Sequence, residues 1–312
     1  GKLSTGGAIT NVAQLSVAST ATLGGNVTTS GTQTYSGDVV MKTNATNLSS
    51  VTAPATGADI TISGTLGTSQ TPHAVSVQTG SGTLNVSGAV GAGTGITAFT
   101  ASGAHLTLNS VDATTSVTLS PSVSGTVGAI SGATTSLTMA GAGTQTLTTD
   151  NTYGGATTIS NGSLQLGANG QLNGGDYTAN IAIASGAKLQ FSSTLDQTLS
   201  GVISGSGQVR KDTASTSTLT LSGNNTYTGT TTIAAGTVVP AHANALGATS
   251  GATVIQTGGV LDVSSQSLGA EPLTLSGGTV SAISADGSVS GPITLSANSL
   301  LSAASGQQLT VS

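Results

Sequence analysis

The chain has no cysteine and no tryptophan, four tyrosines and two phenylalanines are its only aromatic residues, and charged side chains make up 5% of its 312 residues. Without cysteine there is no disulfide framework and no thiolate nucleophile, which fits an exported bacterial protein that avoids disulfide chemistry. The only bases are Lys2, Lys42, Lys188, Arg210 and Lys211 against a net charge of -5, so no basic stripe exists to neutralise phosphates and nucleic acid is excluded as a partner. No run of about 18 apolar residues occurs, so this segment does not insert into a membrane as a helix. Long stretches with helical periodicity are missing too. The chain opens on Gly1 with no signal peptide ahead of it, which reads as a processed chain or a fragment.

Glycine, with 46 residues, and serine plus threonine, together about a third of the chain, fill the space the charges leave. A positive mean hydropathy of +0.23 and few charges separate the sequence from a solvated disordered tail. Its Val, Leu, Ile and Ala stand in very short runs punctuated by Gly, Asn, Asp or Ser. Threonine and valine, stiff at χ1, suit a pleated surface, so the fold class is all-β.

The sequence also repeats itself. DNTYGGATTISNGSL at 150–164 returns 74 residues later as NNTYTGTTTIAAGTV at 224–238, with Leu147 matching Leu221. Further on, GAKLQFSS at 186–193 matches GGVLDVSS at 258–265, and a fainter copy, GTQTYSGDVVM, lies at 31–41 with Met41 where Ile159 and Ile233 stand. Drift in the offset places insertions in turns, as in stacked coils. Between these landmarks run many evenly spaced segments in which apolar and polar residues alternate, too many for a two-sheet sandwich. At about 20 to 25 residues per coil the chain makes about 14 coils and a rod on the order of 65 to 70 Å. The expectation is one continuous β-solenoid domain over 1–312, with its clearest copies at 145–193 and 218–265.

LSGNNTYTGTTTIAAGTVV, preceded by SGVISGSGQVRKDTASTSTLTLSG and followed by HANALG, resembles the passenger-associated transport repeat of bacterial autotransporter adhesins. DNTYGGATTISNGSLQLGANGQL resembles a second copy, and the likeness covers about 145 to 265. The resemblance implies a single-stranded right-handed parallel β-helix carried on a bacterial surface or outside the cell, and it transfers no catalytic residue. Pro240 departs from it, standing where the family keeps an apolar strand residue. No C-terminal barrel with aromatic girdles follows Ser312, so this segment is not expected to anchor itself.

The repeated residues read as coil corners. Gly155, Gly162, Gly229 and Gly236 supply positive φ at tight bends, Asn151 and Asn225 satisfy turn backbone with their amides, and Tyr153 and Tyr227 cover the corners. The competing reading of the tyrosines is as stacking platforms for sugars or peptides.

Catalytic and metal patterns are few. The nine aspartates and Glu271 are scattered singly, without the paired carboxylates a glycosidase needs. His73, His105 and His242 lack metal spacing. Arg210-Lys211-Asp212, the densest charged spot, reads as a solvated turn. GAGTG at 91–95 and GSG at 205–207 have no helix to make them phosphate cradles, and Gly-Gly-Asp at 174–176 is a lone fragment of a calcium-binding β-roll signature. Threonine rows at Thr144-x-Thr146-x-Thr148, Thr216-x-Thr218-x-Thr220 and Thr226 through Thr232 have the look of ice-binding solenoids, yet most strands break the array, and threonine suits any exposed β surface. No cofactor, metal or catalytic residue is expected.

The lead function is therefore structural: a non-catalytic surface stalk, adhesin passenger or end-to-end stacking fibre subunit. Partners expected on this reading are copies of the chain through uncapped terminal coils, and surface glycans or host proteins along a β face. A glycan-binding adhesin module and a polysaccharide-cleaving β-helix enzyme are the alternatives.

Overall fold

A computed structural model describes residues 1–43, 46–51, 56–69, 71–93, 95–213 and 217–312; Thr94 of the GAGTG stretch and Thr216 of the threonine rows lie outside them. The described residues form short strands and turns, with one 3-10 turn at Asn173–Gly175. None of them forms a helix long and apolar enough to cross a membrane. Two compact units, Gly1–Gly155 and Ala156–Ser312, make up the chain.

The first unit is a pile of parallel coils. Following one ladder, Leu3 pairs with Ala21, Ala21 with Val39, Val39 with Leu66 and Leu66 with Val90, in steps of about 18 to 27 residues. Alternation turns one set of side chains inward: Ala21, Leu23, Val39, Met41, Ile60, Ile62 and Leu84 are fully buried. Each such aliphatic side chain contributes about 1.5 to 3 kcal/mol on leaving water. The outward column, Ser16, Thr34, Thr61, Asn85 and Thr107, lies in register on successive strands. Tyr35, from the fainter copy, is buried, and its hydroxyl donates to Gln33 Oε1 at 3.0 Å while Gln33 Nε2 donates to the Ser49 carbonyl at 2.7 Å. A polar side chain is thus kept inside only where its donors and acceptors are met.

The second unit repeats the plan with three strands to a coil. Thr157–Ile159, Ser163–Ala168 and Asp176–Tyr177 are followed by Ile181–Ile183, Lys188–Ser193 and Gln197–Leu199, and each pairs in parallel with its counterpart. The next coil brings Ile203–Gly205, Gln208–Asp212 and Thr218–Leu221 onto the same three ladders. The ladder hydrogen bonds run from coil to coil, so residues gained or lost fall in the corners or in a bulge such as that between Lys211 and Asp212. Pro240 closes the strand Thr231–Pro240 opposite Leu221, and the ladder bond at this place comes from the next residue, whose N–H donates to the Leu221 carbonyl at 2.8 Å, so the N–H that proline lacks is not missed there. The departure from the family pattern is absorbed at a strand end. The chain is a parallel β-solenoid in both units.

Candidate functional site: the coil corners

Where the chain bends, backbone N–H and C=O groups leave the ladder and need other partners. Asn225, 2% exposed, supplies them on both sides: its Oδ1 accepts the Ile203 N–H at 2.7 Å and its Nδ2 donates to the Ala245 carbonyl at 2.7 Å. Asn151 is fully buried, accepts the Ile130 N–H at 2.9 Å and donates to the Thr149 carbonyl at 2.6 Å. Each asparagine replaces a stretch of ladder that the corner interrupts.

Two residues on, Tyr153 and Tyr227 are both fully buried. The Tyr227 hydroxyl shares a hydrogen with Thr231 Oγ1 at 2.6 Å, and burial holds the phenol well above its ordinary pKa. Gly247, at φ +92°, lies flat against the ring, where a Cβ would come within 3.0 Å of it. All the other aromatic rings, Tyr35, Tyr177, Phe99 and Phe191, are buried as well. A sugar therefore finds no exposed ring on which to stack.

The four corner glycines divide into two kinds. Gly162 and Gly236 adopt left-handed φ of +63° and +75°. Gly155 and Gly229 do not, contrary to the expectation from turn chemistry. They are required by close stacking instead: a Cβ on Gly229 would strike the carbonyl oxygen of Gly207 in the coil before it, and one on Gly155 that of Thr135. The sequence marks the need for glycine but not which of its two properties is used.

The scattered acids have a common task. Asp59, Asp196 and Asp286 each accept a backbone N–H one coil ahead, from Thr83, Thr218 and Gln308, all at 2.7 Å. Asp38 accepts the Thr65 N–H at 2.8 Å and its hydroxyl at 3.0 Å, which lowers the carboxyl below its ordinary pKa. Asn26 and Asn180 do the same for Thr46 and Val202. Asp262 holds the Ser264 N–H and hydroxyl, and Asp176 is bonded by Ser200. Single spacing along the sequence is what a one-per-corner clip produces. Among the described residues no three His, Asp or Glu side chains gather as metal ligands. His73, His105 and His242 are bonded locally to Thr71, Ser124 and Asn244.

Arg210-Lys211-Asp212 is not the solvated turn its charges suggest, because these residues lie in the strand Gln208–Asp212. Alternation from buried Val209 sends Lys211 inward, 2% exposed, where its Nζ donates to Ser217 Oγ at 3.0 Å and the Thr213 carbonyl at 3.4 Å. Burial lowers its pKa, while Asp212 and Asp196 act the other way. Outside, Asp212 accepts from Arg210 Nε at 3.4 Å, Gln190 Nε2 at 2.7 Å and Ser192 Oγ at 2.6 Å. The period-two pattern Val209-x-Lys211 carried this signal, and charge masked it.

The model of the passenger-associated-transport-repeat matches residues 137–166 and 214–239, the segments that contain both Asn-x-Tyr corners. No curated protein and no solved structure matches the chain. The repeat implies export to the cell surface or the extracellular space. The chain carries two passenger-associated transport repeats on a parallel β-solenoid, the build of an autotransporter passenger.

Proposed function

We propose that the chain is a non-catalytic structural passenger, a stalk presented outside the bacterial cell. The observation that supports this most is the occupation of its carboxylates: seven of the ten acids, Asp38, Asp59, Asp176, Asp196, Asp262, Asp286 and Glu271, are each tied to a corner backbone or hydroxyl group rather than to one another. An acid fixed in this way is neither a free general base nor one of a facing pair. The transport repeat supports the export half of the reading, and the burial of every aromatic ring supports a scaffold over a stacking-type sugar binder.

Expression ahead of an outer-membrane translocation barrel tests both halves. Protease added to intact cells is expected to remove the chain, and the purified chain is expected to leave a panel of polysaccharides uncut. Retention inside the envelope overturns the export reading. Release of new reducing ends or unsaturated sugars overturns the non-catalytic one.

A further inference from the structure

Glu271, the single glutamate of the chain, has surroundings unlike those of any aspartate. It stands at the corner between the strands Ser267–Leu268 and Leu273–Ser276 and is 6% exposed. Its Oε1 accepts a hydrogen bond from Thr253 Oγ1 at 2.7 Å. Thr253 stacks on Thr231, and Thr231 meets the Tyr227 hydroxyl at 2.6 Å. The carboxyl thus ends a file of neutral hydroxyls that begins in the second transport repeat. Tyr227 is the titratable group facing it along this file. No lysine, arginine or histidine among the described residues comes within 4.0 Å of it, since the one ion pair there is Arg210 with Asp212. Gly291 of the next coil packs on the backbone of Glu271, where a Cβ would strike its carbonyl oxygen.

A carboxylate buried to this degree has no cation within reach to compensate it, and the Thr253 hydroxyl is its one hydrogen-bond partner in the chain. We infer that Glu271 is a pH-sensitive latch of the second unit: protonated, it seals the corner 269–272 onto the coil before it, and ionised, it loosens that corner. Burial, opposed by the Thr253 hydrogen bond, pushes its carboxyl up from 4.5 to about 7. An unfolded glutamate releases its proton near about 4.3, so between that value and about 7 the folded unit binds more protons than the unfolded one. The stabilisation is complete below the unfolded value and is lost as pH rises through the folded one. Asp38 acts in the opposite sense: lowered by Thr65, it contributes stability that is lost in acid. Acid therefore tightens this corner while it slackens that of Asp38.

Because the chain has one glutamate, glutamate labelled at Cδ gives one carboxyl resonance from the intact protein. Its chemical shift is expected to titrate with a midpoint near about 7, and Thr253→Ala, which removes the bond favouring the charged form, is expected to raise that midpoint. In parallel, the melting temperature of the unaltered chain should fall between about pH 4.5 and pH 7 relative to Glu271→Gln, with the amides of Thr253 and Leu273 losing protection over the same range. A midpoint near 4.5, or equal pH dependence in the two proteins, overturns the latch. If Glu271→Gln does not fold, the titration of the unaltered chain decides alone.

Discussion

The two repeat copies use matching residues to make different connections. Asn225 fastens three coils, reaching Ile203 on one side and Ala245 on the other, while Asn151 holds Ile130 one coil back by the same oxygen and also donates to Thr149 two residues away, a bond that Asn225 does not make. Just beyond the second copy the segment 241–248 folds into tight turns, Ala245 N–H to the His242 carbonyl and Gly247 N–H to that of Asn244, which present a buried carbonyl to Asn225 and lay Gly247 on Tyr227. The tyrosines show the same exchange of partners. Tyr227 bonds the threonine four residues on, Thr231; Tyr177 has Ile181 at that place and bonds Thr157, on which Ile181 stacks. A repeat of this kind fixes which backbone groups a corner leaves open, and the neighbouring coil decides who closes them.

The largest effects are expected where close stacking and positive φ are set against each other. Gly229→Ala drives a methyl group into the backbone of Gly207 and should destabilise the second unit by roughly 3 kcal/mol. Gly236→Ala meets the Thr213 carbonyl oxygen at 2.6 Å, the movable end of Lys211 at 2.9 Å and a φ of +75°, a lighter clash than that against Gly207, so its loss should be the smaller of the two, about 2 kcal/mol. Denaturant unfolding of the two variants checks the order, and equal losses would show that the two glycines are alike after all. Asn225→Ala is of the same order as Gly229→Ala. It strands two buried groups, the Ile203 N–H and the Ala245 carbonyl, at about 1 to 3 kcal/mol each, so a loss of about 2 to 6 kcal/mol is expected. Asn151→Ala strands the buried Ile130 N–H and should cost at least about 1 to 3 kcal/mol. Denaturant unfolding checks both asparagine variants, and a loss well under about 1 kcal/mol for either would show that its corner groups find other partners.

Much of the coil was written in alternation. Met41, Ile159 and Ile233, matched across three copies by position, are all fully buried, and the short parallel strands arise from the punctuation between them. The corners were legible as positions but not as mechanisms. Gly155 and Gly229 were marked as glycines, yet whether a glycine answers a φ or a neighbouring backbone depends on the coil before it, some 20 residues away in sequence. Lys211 was hidden for a related reason. Charge ordinarily means exposure, but an inward lysine long enough to reach the hydroxyl and carbonyl oxygens at a corner finds its acceptors inside. Glu271 looked like one more scattered acid; its distinction lies in Thr253 and Gly291, which only stacking brings to it.

The smallest expected effect is also the sharpest test of partner exchange between corners. Tyr227→Phe and Tyr177→Phe each remove one buried hydroxyl without changing the ring, and each deprives one threonine, Thr231 or Thr157, of a bond at 2.6 or 2.8 Å. A neutral buried hydrogen bond of this kind is worth about 1 kcal/mol, so both variants should lose about that amount. Ile181→Thr should then discriminate between them, because it returns a hydroxyl to the place four residues after Tyr177. In that background Tyr177 has a partner within its own coil, as Tyr227 does, and Thr157→Val should become less costly than in the unaltered chain. If Thr157→Val costs the same with Ile181 or with threonine at that place, the tyrosine does not choose its partner by what its own coil offers, and the difference between the Tyr177 and Tyr227 corners must come from the backbone path of each.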